Sequence, residues 1–338
     1  MSEFLRNILR AARAERKTII LPEGADPRIL GAVKIIIEED AANLILLGDK
    51  PGIRSALEEI EVDSSAISII NPVDPGRIDS YASELYNLRK HKGMTLDNAR
   101  NLLKDPVYFG MMMLKLNQAD GLVAGVAHST SSIIRPALQI IKTAPGISIV
   151  SSTFFIIKDE DIMLFADCGL NENPDPGQLA EITLSTALTA KLFGLIPKIA
   201  LLSYSTRGSG RGKDVEKMQK AVELAEKRME AVYQGEYLID GELQFDAAFV
   251  PAVSEIKCPD SPLKGEANIF IFPDLNAGNI SYKIAHRLGK TDTYGPILQG
   301  ISLPVNDLSR GCSSEDIVAA IAITAIQAQE HSAFGAMF

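Results

Sequence analysis

Short apolar runs recur along the 338-residue chain, each closed by a turn residue and followed by an amphipathic stretch. Lys17–Leu21 (KTIIL) ends at Pro22-Glu23-Gly24, Asn43–Leu47 (NLILL) at Gly48, and Ala66–Ile70 (AISII) at Asn71-Pro72. Runs this short, bounded by turn residues, read as buried strands. Gly121–Val126, Ile147–Phe155, Ile162–Phe165, Ile199–Tyr204, Asn268–Phe272 and Ile297–Leu303 repeat the style. Between them, Asp26-Pro27 opens a helical stretch with proline in its first turn. Val215–Tyr233 and Ile317–Gln329 read as further helices. Strands separated by helices predict an α/β fold, a largely parallel sheet covered by helices on both faces. Ligands of such sheets bind beyond the carboxyl ends of the strands, which directs attention to the loops that follow them.

No internal repeat or low-complexity linker divides the chain. Pro145-Gly146 and Asp292–Gly295 are the two candidate crossings. If both are used, residues 146–292 form one domain, and residues 1–145 together with 293–338 form a discontinuous other.

Composition narrows the function. Hydrophobic residues make up 46% and charged residues 23%, as a packed globular chain requires. The net charge of −9 argues against a general nucleic-acid binder, which needs a basic face for phosphates. It leaves room for an anionic small molecule, because a few nearby arginines outweigh screened distant charges. No apolar run reaches the length of a membrane span. Met1–Lys17 alternates apolar and basic residues without the apolar block of a signal peptide, so a cytoplasmic location is expected. Cys168, Cys258 and Cys312 are odd in number and widely spaced, which fits neither a disulfide framework nor a zinc site. The four histidines form no HExxH pair, and no protein-bound metal is expected.

Three loops carry candidate chemistry. Pro304–Asp316 (PVNDLSRGCSSED) lies between a strand and a helix. There Ser309 and Arg310 can donate to an oxyanion or a phosphate, and Asp316 can take a proton. Ser313-x-x-Asp316 also reads as a capping box, and the two roles coexist if the helix starts at the site. Asp120–Lys142 runs from a strand into His128-Ser129-Thr130 and then Arg135-Pro136, where small and hydroxyl residues suit an anion held by backbone amides. A tight turn with a hydroxyl cap reads equally well. Ser205–Gly212 (STRGSGRG) is glycine-rich but matches neither common phosphate-loop motif, so a surface loop is its default reading. Arg28, Arg89, Arg135, Arg207, Arg211, Arg287 and Arg310 all fall in or beside such loops, and a converging set of them would make an anion site. Cys312 has no base near it in sequence and reads as a buried thiol.

Taken together, these segments resemble the phosphate acetyltransferase (phosphotransacetylase) family. The likeness runs through LPEGADPRIL near Leu21, LRKHKG at Leu88–Gly93, HST…RPALQIIKT at His128–Thr143 and ADCGLNENP at Ala166–Pro174. It continues through LLSYSTRGSG at Leu201–Gly210, FPDLNAGNISYK at Phe272–Lys283 and PVNDLSRGCSSEDI at Pro304–Ile317.

The resemblance implies a two-domain, three-layer α/β fold similar to the isocitrate and isopropylmalate dehydrogenases, with the active site in a cleft between the domains. It implies reversible acetyl transfer between acetyl-CoA and phosphate, giving acetyl phosphate and CoA, in a homodimer. Coenzyme A is then a substrate and no bound cofactor is expected. Phosphate butyryltransferase chemistry is the alternative, because one methylene changes binding by only about 1–3 kcal/mol. By motif, Ser309, Arg310 and Asp316 fall on the catalytic loop. Arg28, Arg89, Arg135 and Arg287 fall on arginines linked to CoA or phosphate, with Ser129 and Thr130 beside them. A thiol near ~8.5 and a free aspartate near ~3.9 differ by about 6 kcal/mol for full proton transfer. The resemblance therefore asks for burial of Asp316, guanidinium stabilisation of the thiolate, or both.

Overall fold

The computed structural model describes residues 1–334, which contain eleven strands. In chain order they are β1 (Thr18–Leu21), β2 (Asn43–Leu47), β3 (Ser68–Ile70), β4 (Gly121–Ala124), β5 (Ser151–Lys158) and β6 (Asp161–Ala166). β7 (Lys198–Leu202), β8 (Leu238–Leu243), β9 (Ile269–Ile271), β10 (Asp292–Gln299) and β11 (Val305–Asp307) follow. The chain divides into two compact units, one of residues 1–145 with the segment from Ile301 onward, the other Gly146–Gly300.

The first unit is built on a five-stranded parallel sheet in the order β11-β4-β1-β2-β3. Alternation along β1 and β4 sends neighbouring side chains to opposite faces. On one face, Gly110 of the helix Pro106–Lys115 sits against Ile20 and Leu122. On the other, Gly121 sits against Ile19 and against Thr324 of the helix Ser314–Phe334. The unit is therefore helix, sheet, helix. The helix Ser314–Phe334 buries residues on every side, from Ile317 and Val318 through Ile321, Ala322 and Ile323. It lies beneath the helices Glu3–Ala14 and Pro27–Glu38 as well as on the sheet. A helix apolar all round is stable only inside such a sandwich.

The second unit holds a six-stranded sheet in the order β10-β5-β6-β9-β7-β8. β6, β9, β7 and β8 run parallel, whereas β5 pairs antiparallel with both β6 and β10. Phe154 stacks on Tyr282 of the helix Leu275–Arg287, with ring centroids 4.1 Å apart. Its neighbour Phe155 packs edge-on against Phe193, beyond the helix Pro176–Leu192. Both faces of this sheet are covered too.

The return from the second unit to the first falls between Gly300 and Ile301, not at the expected boundary between 292 and 293. The physical reason is pairing: β10 starts at Asp292, where residue 292 faces Ile157 of β5, and it stays on that sheet to Gln299. The apolar run Ile297–Leu303 is for the same reason not one strand. Gly300 breaks it with φ +78°, and a Cβ there would lie 2.8 Å from the Ile149 carbonyl oxygen. Gly300→Ala is expected to destabilise the chain by about 1–3 kcal/mol, the range for a residue forced into a disfavoured backbone region. Denaturant unfolding of the two proteins measures it.

Candidate active site

Three strand ends of the first sheet, β1, β4 and β11, are neighbours, and their loops are tied by side chains from the first loop. Glu23, just beyond β1, has a side chain only 5% exposed. Its Oε2 accepts the Gly125 and Val126 N–H groups at 2.8 and 3.0 Å, and its Oε1 accepts the Ala127 N–H at 2.7 Å. Oε1 also bonds His128 Nδ1 at 2.6 Å. The loop after β4 is thus wrapped around one carboxylate. Gly125 takes φ +124°, and a Cβ there would lie 2.5 Å from Asp307 Oδ1, so only glycine lets β4 leave the sheet this close to β11.

Arg28 completes the tie. Its Nε and Nη2 bind the Asp26 carboxylate at 3.0 and 2.9 Å. Nη2 also donates to the Val126 carbonyl at 2.9 Å, and Nη1 to the Arg310 carbonyl at 2.7 Å. The Arg28 guanidinium in turn holds the Asp26 carboxyl below its ordinary value. Arg28 is a binding candidate from the sequence, and the structure spends its donors on holding loops together.

The catalytic candidates follow β11. Ser309 and Arg310 are exposed, and the Arg310 side chain has no hydrogen-bond partner among the described residues. Its guanidinium donors are available to a ligand. Asp316 forms the capping box expected from the sequence: Oδ2 accepts the Ser313 N–H at 2.8 Å and its hydroxyl at 2.9 Å, while the Asp316 N–H donates to Ser313 Oγ at 3.2 Å. Its Oδ1 keeps no partner among the described residues. Burial pushes the Cys312 thiol up to about 11 despite the nearby Arg28, so the buried-thiol reading matches its surroundings.

Ser129 and Thr130 are exposed where the β4 loop meets the helix Thr130–Pro136. Ser129 Oγ contacts the Ser131 and Ser132 hydroxyls, each at 2.9 Å. Arg89 and Arg135 meet elsewhere in the same unit, lining a pocket of about 520 Å³ with Lys92, Tyr108 and Gln139. Arg89 Nε is buried there without a hydrogen-bond partner, and Tyr108 donates to Gln139 at 3.0 Å. Arg287 is exposed on the last turn of its helix in the second unit.

The glycine-rich loop Ser205–Gly212 is internally closed. The Gly208 N–H donates to Glu242 at 2.7 Å, the Gly210 N–H to Ser205 Oγ at 2.8 Å, and Arg207 Nη2 is engaged with Asp240 at 2.7 Å. With its amides turned onto a carboxylate and a hydroxyl, it does not cradle an anion.

Sequence reasoning passed over three groups. Glu23, His128 and Asp307 lie inside the family-like segments of the sequence, but nothing there assigns any of them a role. Asp307 is 2% exposed, and neither carboxyl oxygen closes a hydrogen bond. The Thr130 hydroxyl and Leu308 N–H face it and favour its charged form, but burial wins and, with repulsion from Glu23, pushes its pKa up to about 6. The only signal in the sequence was an acid at the end of a strand. Among the described residues no group of three or more His, Cys, Asp or Glu side chains is placed to hold a metal, and no helix is long and apolar enough to cross a membrane.

A parallel α/β unit whose strand-end loops gather hydroxyls, a free guanidinium and a carboxylate–imidazole pair, and which also carries a basic pocket, describes an enzyme that handles anionic groups. Comparison with known proteins narrows the class. A family profile described as phosphate acetyl/butaryl transferase matches residues 3–325, and the chain belongs to this family. It is 48% identical over 334 residues to a phosphate acetyltransferase of Thermoanaerobacterium thermosaccharolyticum, covering 96% of this chain and 99% of that one. The crystal structure of a phosphotransacetylase from Streptococcus pyogenes matches with a TM-score of 0.91 at 45% identity, covering 98% of this chain and 100% of the other. The fold alone is shared with a putative 4-hydroxythreonine-4-phosphate dehydrogenase from Salmonella typhimurium, at a TM-score of 0.54 and 12% identity over 92% of this chain and 99% of that one.

Asp307 gives a stability prediction with a definite sign. A carboxyl whose folded pKa is raised from 3.8 to about 6 stabilises the fold below pH 3.8 and loses that contribution as pH rises through 6. The full difference is about 3 kcal/mol. Asp307→Asn is therefore expected to gain stability relative to the parent as pH rises from 4.5 to 7.5. Melting curves across that range measure it, and a gap independent of pH refutes the perturbation.

Proposed function

We propose that the chain is a phosphate acetyltransferase, moving an acetyl group reversibly between acetyl-CoA and inorganic phosphate. The observation that carries the reading is the Arg28 guanidinium bonded at once to the Val126 and Arg310 carbonyls. It holds the hydroxyl-bearing loop of Ser129 and Thr130 against the loop of Ser309 and Arg310. Hydroxyl donors and a free guanidinium side by side suit a phosphate and the oxyanion of an attacked thioester.

In this reading Ser309 and Arg310 stabilise the tetrahedral oxyanion. Asp316 exchanges the thiol proton through Oδ1, the oxygen its cap leaves free. Arg89 and Arg135, with Lys92 in the same pocket, take phosphate groups of CoA, and Arg287 is assigned that role from its motif position. Ser129 and Thr130 serve the inorganic anion, and Arg28 acts chiefly by holding their loop. Longer acyl chains remain open to the same chemistry. The three free, buried thiols fit a reducing cytoplasm.

A homodimer is part of the proposal. The helix Leu275–Arg287 and the residue after it expose Ile280, Ile284 and Leu288 at 56%, 53% and 81%, a stripe with a spacing of four. Such a stripe marks an association surface. Ile284→Glu is expected to shift the protein toward monomer, read as molar mass by light scattering; an unchanged mass removes this surface from the interface.

The activity is tested by thiol release from a panel of acyl-CoA esters with phosphate, with arsenate and with no anion. Acetyl-CoA with phosphate is expected to be among the fastest pairs, and release that ignores the anion rejects the reading. Arg310→Ala is expected to lower turnover by about two or more orders of magnitude, as loss of an oxyanion donor does. Asp316→Asn keeps an acceptor for the cap and removes the base. A comparable loss in it supports the proton role, and near-normal turnover leaves only the cap. Cys312→Ala is expected to stay active.

A further inference from the structure

The proposed reaction leaves one proton without a carrier at the phosphate end. Hydrogen phosphate enters with a proton and acetyl phosphate leaves without it. The departing thiolate gains one and leaves as a thiol. Asp316 follows β11 and serves the sulfur. A second group must take the proton from phosphate.

We infer that His128 is that group and that Glu23 is its positioning residue. Glu23 accepts three backbone N–H groups, so its carboxylate acts toward the ring as an acceptor, and His128 Nδ1 carries the hydrogen of the 2.6 Å bond. That fixes the tautomer and leaves Nε2 with a lone pair. No residue described takes Nε2, and the imidazole is 28% exposed while Glu23 behind it is 5% exposed. A buried carboxylate on one nitrogen and an open lone pair on the other is the arrangement that makes histidine a directed base, because the carboxylate also stabilises the imidazolium that forms. His128 directly precedes Ser129 and Thr130, so the base sits where the anion is proposed to bind. This inference rests on the reading of that loop as the phosphate end.

The step balances. Nε2 takes the proton of the P–O–H group. A phosphate oxygen forms its bond to the thioester carbonyl carbon, and the C–S bond breaks with its electron pair on sulfur. The thiolate takes a proton from protonated Asp316. Imidazolium and aspartate then exchange their protons with solvent, and in the reverse direction imidazolium protonates the leaving phosphate. The charged group bonded to the ring is Glu23 from the β1 loop; Arg28 donates to the Val126 carbonyl of the same β4 loop, and Asp307 of β11 repels Glu23.

Chemical rescue separates proton transfer from structure. His128→Ala is expected to lower kcat by about a hundredfold or more, the usual contribution of a general base, with phosphate KM changed less than about threefold. Added imidazole is expected to restore turnover in proportion to its unprotonated fraction, and methylated imidazoles in the order of their basicity. His128→Gln, which retains a hydrogen-bonding side chain for Glu23, is expected to be equally slow and folded. A kcat within about threefold of the parent in both variants overturns the inference, as does a loss in folded His128→Ala that imidazole does not reverse. Thr130→Val tests the reading beneath it: an unchanged phosphate KM there removes the anion loop itself, whereas a raised KM with no His128 effect removes only the base.

Discussion

The loop Pro22–Asp26, with Arg28 just beyond it, governs the site, although it supplies none of the proposed reacting atoms except through others. A buried carboxylate stays charged at low cost only when its oxygens are satisfied. Glu23 achieves this by gathering N–H groups from a loop about a hundred positions away, while Arg28 donates to two carbonyls on separate loops. The three loops come from adjacent strands in the order β11-β4-β1. Their backbones reach each other because Gly125 admits the close approach that any side chain would block. Sheet order creates the neighbourhood, and two charged side chains set its geometry to within hydrogen-bond tolerance.

The strands most plainly read from the sequence were those whose buried side chains are largely apolar. KTIIL and NLILL have no competing interpretation, and both lie in the sheet. β11 reads VND and did not look like a strand. Its Asn306 is fully buried, but it donates to Thr324 and Gln327 of the covering helix, so a polar residue sits in a core at little cost. Such compensation involves residues 18 and 21 positions away, which local pattern does not register. β8, LIDGEL, is similar, with Asp240 held by Arg207 and Glu242 by Ser205 and Gly208. The antiparallel pairing of β5 was also hidden, since an apolar run carries no sign of strand direction.

The candidate site was legible to the same degree and for the same reason. Ser309, Arg310, Ser129 and Thr130 could be placed because loops after strands are where such sheets present side chains. Glu23 and His128 could not be paired, because the signal for each is an ordinary residue in an ordinary turn, and their chemistry exists only in the contact. The loop Ser205–Gly212 shows the converse. Its glycines and hydroxyls have the composition of an anion cradle, but a cradle needs unsatisfied N–H groups, and Glu242 and Ser205 have taken them.

The same accounting of donors and acceptors bears on the thiol of the proposed catalytic loop, which the proposed mechanism does not use as a nucleophile. Cys312 has Arg28 close by, which favours thiolate, but that guanidinium is already neutralised by Asp26, and the desolvation of Cys312 outweighs what remains. Arg310, one turn of loop away, has no carboxylate partner among the described residues and is solvated. A positive charge left uncommitted lowers the cost of a new anion, whereas one already paired with a carboxylate does so less. The loop therefore separates two arginines by task. Arg28 is used up in tying the loops together, whereas Arg310 stays uncommitted, as the proposed oxyanion role requires.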